Sequence, residues 1–197
     1  MISILKTKDA TLKRIIESVD KAVQPEPSVD IYFDLLQSIV SQQLSVKVAA
    51  IIWQRFLTLF PDEYPTDRVL KAKADDELRA VGLSRQKANY LRNVAVFSIE
   101  NGMGFETLNA KPDEEIISYL TQIKGVGKWT VQMVLMFPMD RPNVFPIDDL
   151  GIQTKMIGHY NLVGEKKEIR KKMLEIAEKW EPHKSLASKY LWNSALV

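Results

Sequence analysis

Between Asp113 and Phe137 two helix-periodic runs are joined by only Gly125-Val126-Gly127. The first run, DEEIISYLTQI (Asp113 to Ile123), sets Ile116, Ile117, Leu120 and Ile123 on one stripe, and the second, KWTVQMVLMF (Lys128 to Phe137), keeps the same period. Glycine costs a helix about 1 kcal/mol relative to alanine. Two glycines this close therefore predict a very short turn between helices, ending at a helix N-terminus. Backbone N–H groups there lack intrahelical partners and favour an anion. Without Cβ atoms, a large group can approach the backbone. A phosphate fits both properties; a tight turn with no ligand is the alternative.

The rest of the chain reads the same way. Asp9 can cap a helix to about Val23, with Leu12, Ile15, Ile16 and Val19 on its apolar face, and QPEPS (Gln24 to Ser28) breaks it. Further helices are expected over Tyr32 to Gln43, from the cap Ser45 to Pro61, and after Thr66 and Asp75, with Gly82 as a stop. Others run from Ser84 to Gly102, from Pro112 into the glycine turn, from the cap Asp148 to about His159, from Glu165 to Trp180, and from Pro182 onward. No segment alternates as a strand, and no repeat or low-complexity tract is present. The fold class is all-α. One irregular, proline-rich stretch, PMDRPNVFPI (Pro138 to Ile147), stands just before the acidic pair Asp148-Asp149.

Composition narrows the chemistry. The length of 197 residues allows one or two small domains, and 46% hydrophobic with 26% charged residues is the profile of a globular chain with a sizeable core. The net charge of +2 permits nucleic acid binding without arguing for it. The absence of cysteine excludes disulfides, cysteine zinc sites and thiolate-ligated clusters. His159 and His183, the only histidines, argue against a histidine-built metal site. MISILKTKDA lacks the apolar core and cleavage site of a signal peptide, and no apolar stretch reaches membrane-span length. An intracellular location, cytoplasmic or nucleoid-associated, is expected.

Four segments, in order, carry a resemblance: SIVSQQLSVKVAA (Ser38 to Ala50), GLSRQKANYL (Gly82 to Leu91), IKGVGKWTV (Ile123 to Val131) and NVFPIDDLGIQ (Asn143 to Gln153). Together they resemble the helix-hairpin-helix/Gly-Pro-Asp superfamily of DNA base-excision glycosylases, and within it the compact relatives of 3-methyladenine DNA glycosylase II. The resemblance implies a two-lobed helical fold, with one lobe from Tyr32 to Asp140 and a second from residues 1–31 and 141–197 carrying the catalytic aspartate in a cleft between them. It implies that the hairpin (Gly125, Val126, Gly127, Lys128 and Thr130) grips a DNA phosphate. The carbonyls of Ile123 and Gly125 are then a candidate site for a monovalent cation. Double-stranded DNA containing damaged bases is the implied partner. No cofactor, no catalytic metal and no membrane partner is expected, and the chain is expected to be a monomer.

The resemblance also distributes roles. Asp149, with Leu150, Gly151 and Ile152, matches the family's D-x-x-I spacing for the catalytic carboxylate, while Asp148 is positioned to cap the following helix. Trp129 stands where bifunctional members have the lysine that attacks the sugar, which implies a monofunctional enzyme. Lys128 is one residue too early, a rotation of about 100° on a helix. Trp129, Met133, Leu150 and His183 are the implied base-pocket positions, and an aromatic face attracts a cationic methylated purine. Gln42, Gln43 and Leu44 are the implied wedge that enters the duplex where a nucleotide flips out, Gln43 first among them. Arg85, Lys87, Arg92, Lys184 and Lys189 are further candidate phosphate ligands.

Several positions depart from the pattern. At 197 residues, the extra N-terminal β domain of the larger bacterial enzyme is not expected. WEPHKSLASKYLW (Trp180 to Trp192) resembles one of its segments, with His183 in place of a pocket tryptophan. Met133 and Leu150 also replace aromatic residues. The expected activity is hydrolytic excision of alkylated bases, 3-methyladenine first. A glycosylase for deaminated, etheno or mismatched bases, and a non-catalytic DNA-binding module, are the alternatives.

Overall fold

The computed structural model describes residues 1–20 and 27–196. Among them every regular element is helical. The chain divides into a continuous unit, Ser28–Val134, and a discontinuous one, Met1–Pro27 with Leu135–Val197. The discontinuous unit begins with α1 (Ile2–Lys8) and α2 (Ala10–Ser18). The continuous unit holds α3 (Ile31–Ser41), α4 (Val46–Leu57), α5 (Asp67–Ala72), α6 (Asp75–Ala80), α7 (Arg85–Asn101), α8 (Phe105–Asn109), α9 (Asp113–Leu120) and most of α10 (Lys128–Met136). The chain then returns to the discontinuous unit with α11 (Leu150–Tyr160), α12 (Lys166–Glu178) and α13 (Lys184–Asn193).

In the continuous unit, α7 is the element the others pack on, with α3, α5 and α6 against it and α4 beside α3. Leu35, Leu36 and Ile39 of α3, Phe56 of α4, and Leu91 and Val94 of α7 are fully buried. These residues recur at helical spacing, so each helix buries one stripe. The caps are local. Asp30 accepts from the Phe33 amide at 2.9 Å, and the Ser45 and Ser84 hydroxyls face the Val48 and Lys87 amides at 3.4 and 3.2 Å. The short helix α8 has no counterpart in the sequence reading.

The discontinuous unit is organised around Asp9. This residue ends α1 and caps α2, its Oδ1 accepting the amides of Thr11 and Leu12 at 2.9 Å. Its Oδ2 accepts the Tyr160 hydroxyl at 2.8 Å and the Trp180 indole N–H at 3.0 Å. Burial, and then the Asp9 carboxylate, push the Tyr160 hydroxyl far above its ordinary pKa. Leu12, Ile15 and Ile16 join Ile152, Met156, Met173, Ala177, Trp180 and Leu191 in one core. The helix from Asp9 stops at Ser18, short of the expected Val23. The Ser18 hydroxyl donates to the Ile15 carbonyl at 2.8 Å, and β-branched Val19 is already extended (φ −112°, ψ 118°), packing on the core from there. Val23 and the Gln24–Glu26 part of the expected break lie outside the described residues.

Candidate functional site

The glycine turn is longer than its sequence suggests. α9 stops at Leu120, not Ile123, and residues 121–127 connect it to α10. The cause is local: the Thr121 hydroxyl donates to the Ile117 carbonyl at 2.7 Å, and the Ile123 amide bonds the Leu120 carbonyl at 3.2 Å, tightening the last turn. Ile123 still reaches the core, at 3% exposure, as does Val126 at 5%. The Val126 amide donates to the Ile123 carbonyl at 2.9 Å, and Asn93 of α7 donates to the Lys124 carbonyl at 2.9 Å. The turn is thus pinned on both sides, with Lys124 and Gly127 exposed.

Its two glycines have different reasons to be there. Gly125 has φ +106°, and a Cβ would fall 2.6 Å from Cδ2 of Tyr90 and closer still to Cγ and Cδ1. Neither the backbone nor the Tyr90 ring leaves room for a side chain. Gly127 is exposed, its φ lies outside the left-handed region, and a Cβ would meet nothing within 4 Å. No neighbouring side chain demands a glycine at 127. Lys128 is exposed, whereas Thr130 is 2% exposed and its hydroxyl accepts from Gln42 Nε2 at 3.1 Å. The Thr130 side chain is therefore committed inside the protein. Trp129 and Met133, at helical spacing i and i+4, share one half-buried face of α10, while Val131, Val134 and Leu135 are buried.

Gln42, Gln43 and Leu44 form the turn between α3 and the Ser45 cap of α4. Gln43 adopts φ +57°, a conformation that disfavours a residue with a Cβ by about 1–2 kcal/mol. Its side chain is exposed; Leu44 is 37% exposed, and Gln42 is half-buried with its amide on Thr130. Backbone strain at an exposed polar residue is the kind that collects at functional sites.

In the discontinuous unit the acidic pair is read one residue out of register. The helix begins at Leu150, so Asp149, not Asp148, is its N-cap, and Asp149 Oδ1 accepts the Ile152 amide at 2.8 Å. Only the residue directly before the first helical position can reach that amide. A turn closed by the Asp149 amide on the Pro146 carbonyl, at 2.9 Å, sets this register. Asp148 instead pairs with Arg170 at 2.6 Å. Trp192 of α13 also donates its indole N–H to Asp149 Oδ1, at 2.8 Å, and stacks on Phe137 with centroids 5.5 Å apart. At Gly151 a Cβ would lie 3.0 Å from Asp149 Oδ1 and 3.3 Å from the Trp192 ring. Gly151 thus leaves the carboxylate and the indole their shared place. Ser185 holds the proline-rich connection, its hydroxyl accepting the Val144 amide at 2.9 Å and donating to the Arg141 carbonyl at 2.5 Å. Trp192, Gly151 and Ser185 escape a reading of local pattern, because each acts on a segment distant in sequence or on the space beside it. For Gly151 a signal exists: a glycine in the first turn of a helix, where nothing local requires one.

The remaining candidates scatter. Leu150 is 76% exposed. His183 stands at the N-cap position of α13 without a side-chain capping bond, and lines a cavity of about 460 Å³ with Asp140, Pro142, Ser185, Leu186 and Lys189, which Asp149 and Leu150 do not line. Four of the five extra cations are engaged within the protein. Lys87 donates to the carbonyls of Val40 and Gln42, and Arg92 to Asp75 and the Lys73 carbonyl. Lys184 pairs with Glu181, and Lys189 with Asp140. Arg85 is exposed. No group of histidine and acidic side chains among the described residues is arranged to hold a metal ion.

The chain is similar to proteins of known kind. A Bacillus subtilis protein, YfjP, is 34% identical over 83% of this chain, which spans 58% of that protein's length. DNA-3-methyladenine glycosylase 1 of Schizosaccharomyces pombe is 32% identical over 95% of this chain and 83% of its own length. The solved structure of the S. pombe 3-methyladenine DNA glycosylase Mag1 in complex with abasic DNA superposes with a TM-score of 0.87 at 30% identity, covering 97% of this chain and 94% of that one. The profile of the HhH-GPD superfamily of base excision DNA repair proteins matches residues 36–182. With the glycine hairpin and the helix-capping aspartate in place, the chain belongs to the HhH-GPD superfamily of base excision DNA repair proteins.

Proposed function

We propose that this protein is a monofunctional DNA glycosylase that excises alkylated bases, 3-methyladenine and related methylpurines, from double-stranded DNA. The observation that carries the reading is Asp149: one carboxylate oxygen held by two donors, the Ile152 amide and the Trp192 indole, each at 2.8 Å. Cleavage of an N-glycosidic bond builds positive charge on the deoxyribose. A fixed carboxylate stabilises that charge and orients or deprotonates the attacking water. A methylated purine is already a good leaving group, so one positioned carboxylate suffices without a metal.

The other residues take supporting roles in this reading. The backbone at Gly127 and Lys128, both exposed residues at the start of α10, binds a phosphate, Gln43 enters the duplex in place of the extruded nucleotide, and the Trp129–Met133 face receives the base. The carbonyls of Ile123 and Gly125 would hold a monovalent cation. Backbone oxygens suit one, and the Ile123 carbonyl keeps a second lone pair beside its bond from Val126. Trp129 has no amine to form a Schiff base, so the product is an intact strand with an abasic site. A DNA substrate fits an intracellular enzyme, cytoplasmic or nucleoid-associated. Among the described residues no helix is long and apolar enough to cross a membrane.

The test is a panel of duplex oligonucleotides, each with one defined lesion, run on a denaturing gel with and without alkali. Strand breaks are expected at methylated purines only after alkali treatment, and no covalent complex should form with borohydride. Asp149→Asn, which keeps the cap, should nearly abolish base release and leave binding to abasic DNA intact. If Asp148→Asn silences the enzyme and Asp149→Asn does not, the assignment is wrong.

A further inference from the structure

Lys87 lies in the first turn of α7, beside the capping Ser84. A cation is disfavoured there, because a helix N-terminus carries partial positive charge. Its partners explain the choice. Lys87 Nζ donates to the carbonyl oxygens of Val40 and Gln42, each at 2.7 Å. These belong to the last turn of α3 and its cap, where carbonyls lack intrahelical amides and the helix dipole is negative. The side chain is half-buried, and burial lowers its pKa from the ordinary lysine value.

The clamped peptide has a particular address. The Gln42 carbonyl is bonded to the amide nitrogen of Gln43, the residue at φ +57°. The Gln42 side chain continues to Thr130 Oγ1 at 3.1 Å, next to Trp129 in the first turn of α10. A hydrogen-bonded path therefore runs from Lys87 through Gln42 to the helix that follows the glycine hairpin. Gln42, Gln43, Lys87, Tyr90 and Gly125 line one polar cleft of about 300 Å³. An ammonium that holds the Val40 carbonyl and the Gln42 carbonyl together fixes the orientation of the Gln42–Gln43 peptide against the last turn of α3. That peptide leads directly into the left-handed residue.

We propose that Lys87 is a positioning residue for base extrusion: it clamps the Val40 and Gln42 carbonyls, holds Gln43 in its strained conformation, and sets the wedge turn in register with the hairpin. It does not itself bind DNA phosphate. The inference rests on the reading of Gln43 as the wedge.

The experiment compares the full chain with Lys87→Met, with Lys87→Gln as a milder variant that keeps a donor without the charge. Amide hydrogen exchange at residues 42–45 should rise in Lys87→Met, and less in Lys87→Gln; unchanged protection there overturns the clamp. Single-turnover release of a methylated purine should fall about tenfold, as for loss of one hydrogen bond of ordinary net strength. In a Gln43→Ala background the same change should cost less than about threefold, because residues acting through one another are not additive. An equal fall in both backgrounds overturns the action through Gln43. The salt dependence of undamaged-duplex binding should keep its slope; a drop of about one would mean that Lys87 contacts a phosphate, overturning the proposal. If Gln43→Ala alone leaves base release unchanged, the wedge reading has failed, while exchange and salt dependence still decide the clamp.

Discussion

Alanine at Gly125 and alanine at Gly127 should have opposite signatures, although the two glycines are one residue apart. At Gly125 the φ of +106° disfavours a Cβ, by about 1–2 kcal/mol for a left-handed residue. The Cβ would also sit within the Tyr90 ring, 2.6 Å from Cδ2, so that the ring must move, at about 1–3 kcal/mol for overpacking. The sum, about 2–5 kcal/mol, corresponds to a Tm lower by roughly 5–15 °C for a chain of this size. At Gly127 no contact within 4 Å opposes the Cβ. Alanine there loses a little as a helix cap and gains a little by restricting the unfolded chain, each a few tenths of a kcal/mol to about 1 kcal/mol. Gly127→Ala should therefore melt within about 2 °C of the parent. Its affinity should nevertheless fall, about tenfold, equally for damaged and undamaged duplexes, because a phosphate contact carries no sequence information. Differential scanning calorimetry and fluorescence anisotropy on a lesion and a lesion-free duplex measure both quantities. A destabilised Gly127→Ala with parental affinity would refute the reasoning, as would a loss of affinity confined to one lesion.

Trp192→Phe keeps the stack on Phe137 but removes the indole donor to Asp149. A hydrogen bond to a charged group is worth about 1.5–3 kcal/mol, so single-turnover base release should fall at least about tenfold, and a rate at or above the parent's would show that the indole does not position the carboxylate. Asp9→Ala removes the α2 cap and leaves the Tyr160 hydroxyl and Trp180 N–H unpaired in the core. About 3–5 kcal/mol should be lost, a Tm decrease of roughly 10 °C by thermal denaturation. His159, bonded to Ser194 at 2.8 Å, has its pKa lowered from 6.5 by burial and then by Lys155 and Arg14. The unfolded chain then binds the proton more tightly, so this contribution is full above about pH 6.5 and is lost as pH falls below it. His159→Asn should flatten the pH dependence of Tm over that interval; an unchanged profile would remove His159 as its source.

Local chemistry was legible in the sequence. The all-helical class follows from apolar periodicity, and Asp9 and Ser45 cap where their positions suggest. The hairpin and the acidic pair were found as motifs. Their inner differences were not. Gly125 and Gly127 look alike in sequence because the Tyr90 ring that separates their roles arrives from another helix. Asp148 and Asp149 are both good caps, and which one serves depends on the turn at Pro146. Lys87 and Lys189 read as surface cations, yet one holds two carbonyls and the other is buried against Phe137 and Asp140. Trp192 meets Asp149 across 43 positions of chain, a distance over which periodicity carries no information.

The double duty of Asp149 constrains how this gene can diverge. Its carboxylate is both the proposed reacting group and the cap of α11. A duplicated copy released from selection for catalysis would still be selected for a folded helix. Asparagine and serine cap nearly as well as aspartate, whereas alanine or leucine weaken the helix by about 1 kcal/mol. Such a copy would drift to Asn or Ser at this position before anything else, silent in chemistry and intact in fold. Descendants that bind DNA without excising bases should be recognisable by that one exchange, with the glycine hairpin and the tryptophan opposite still in place.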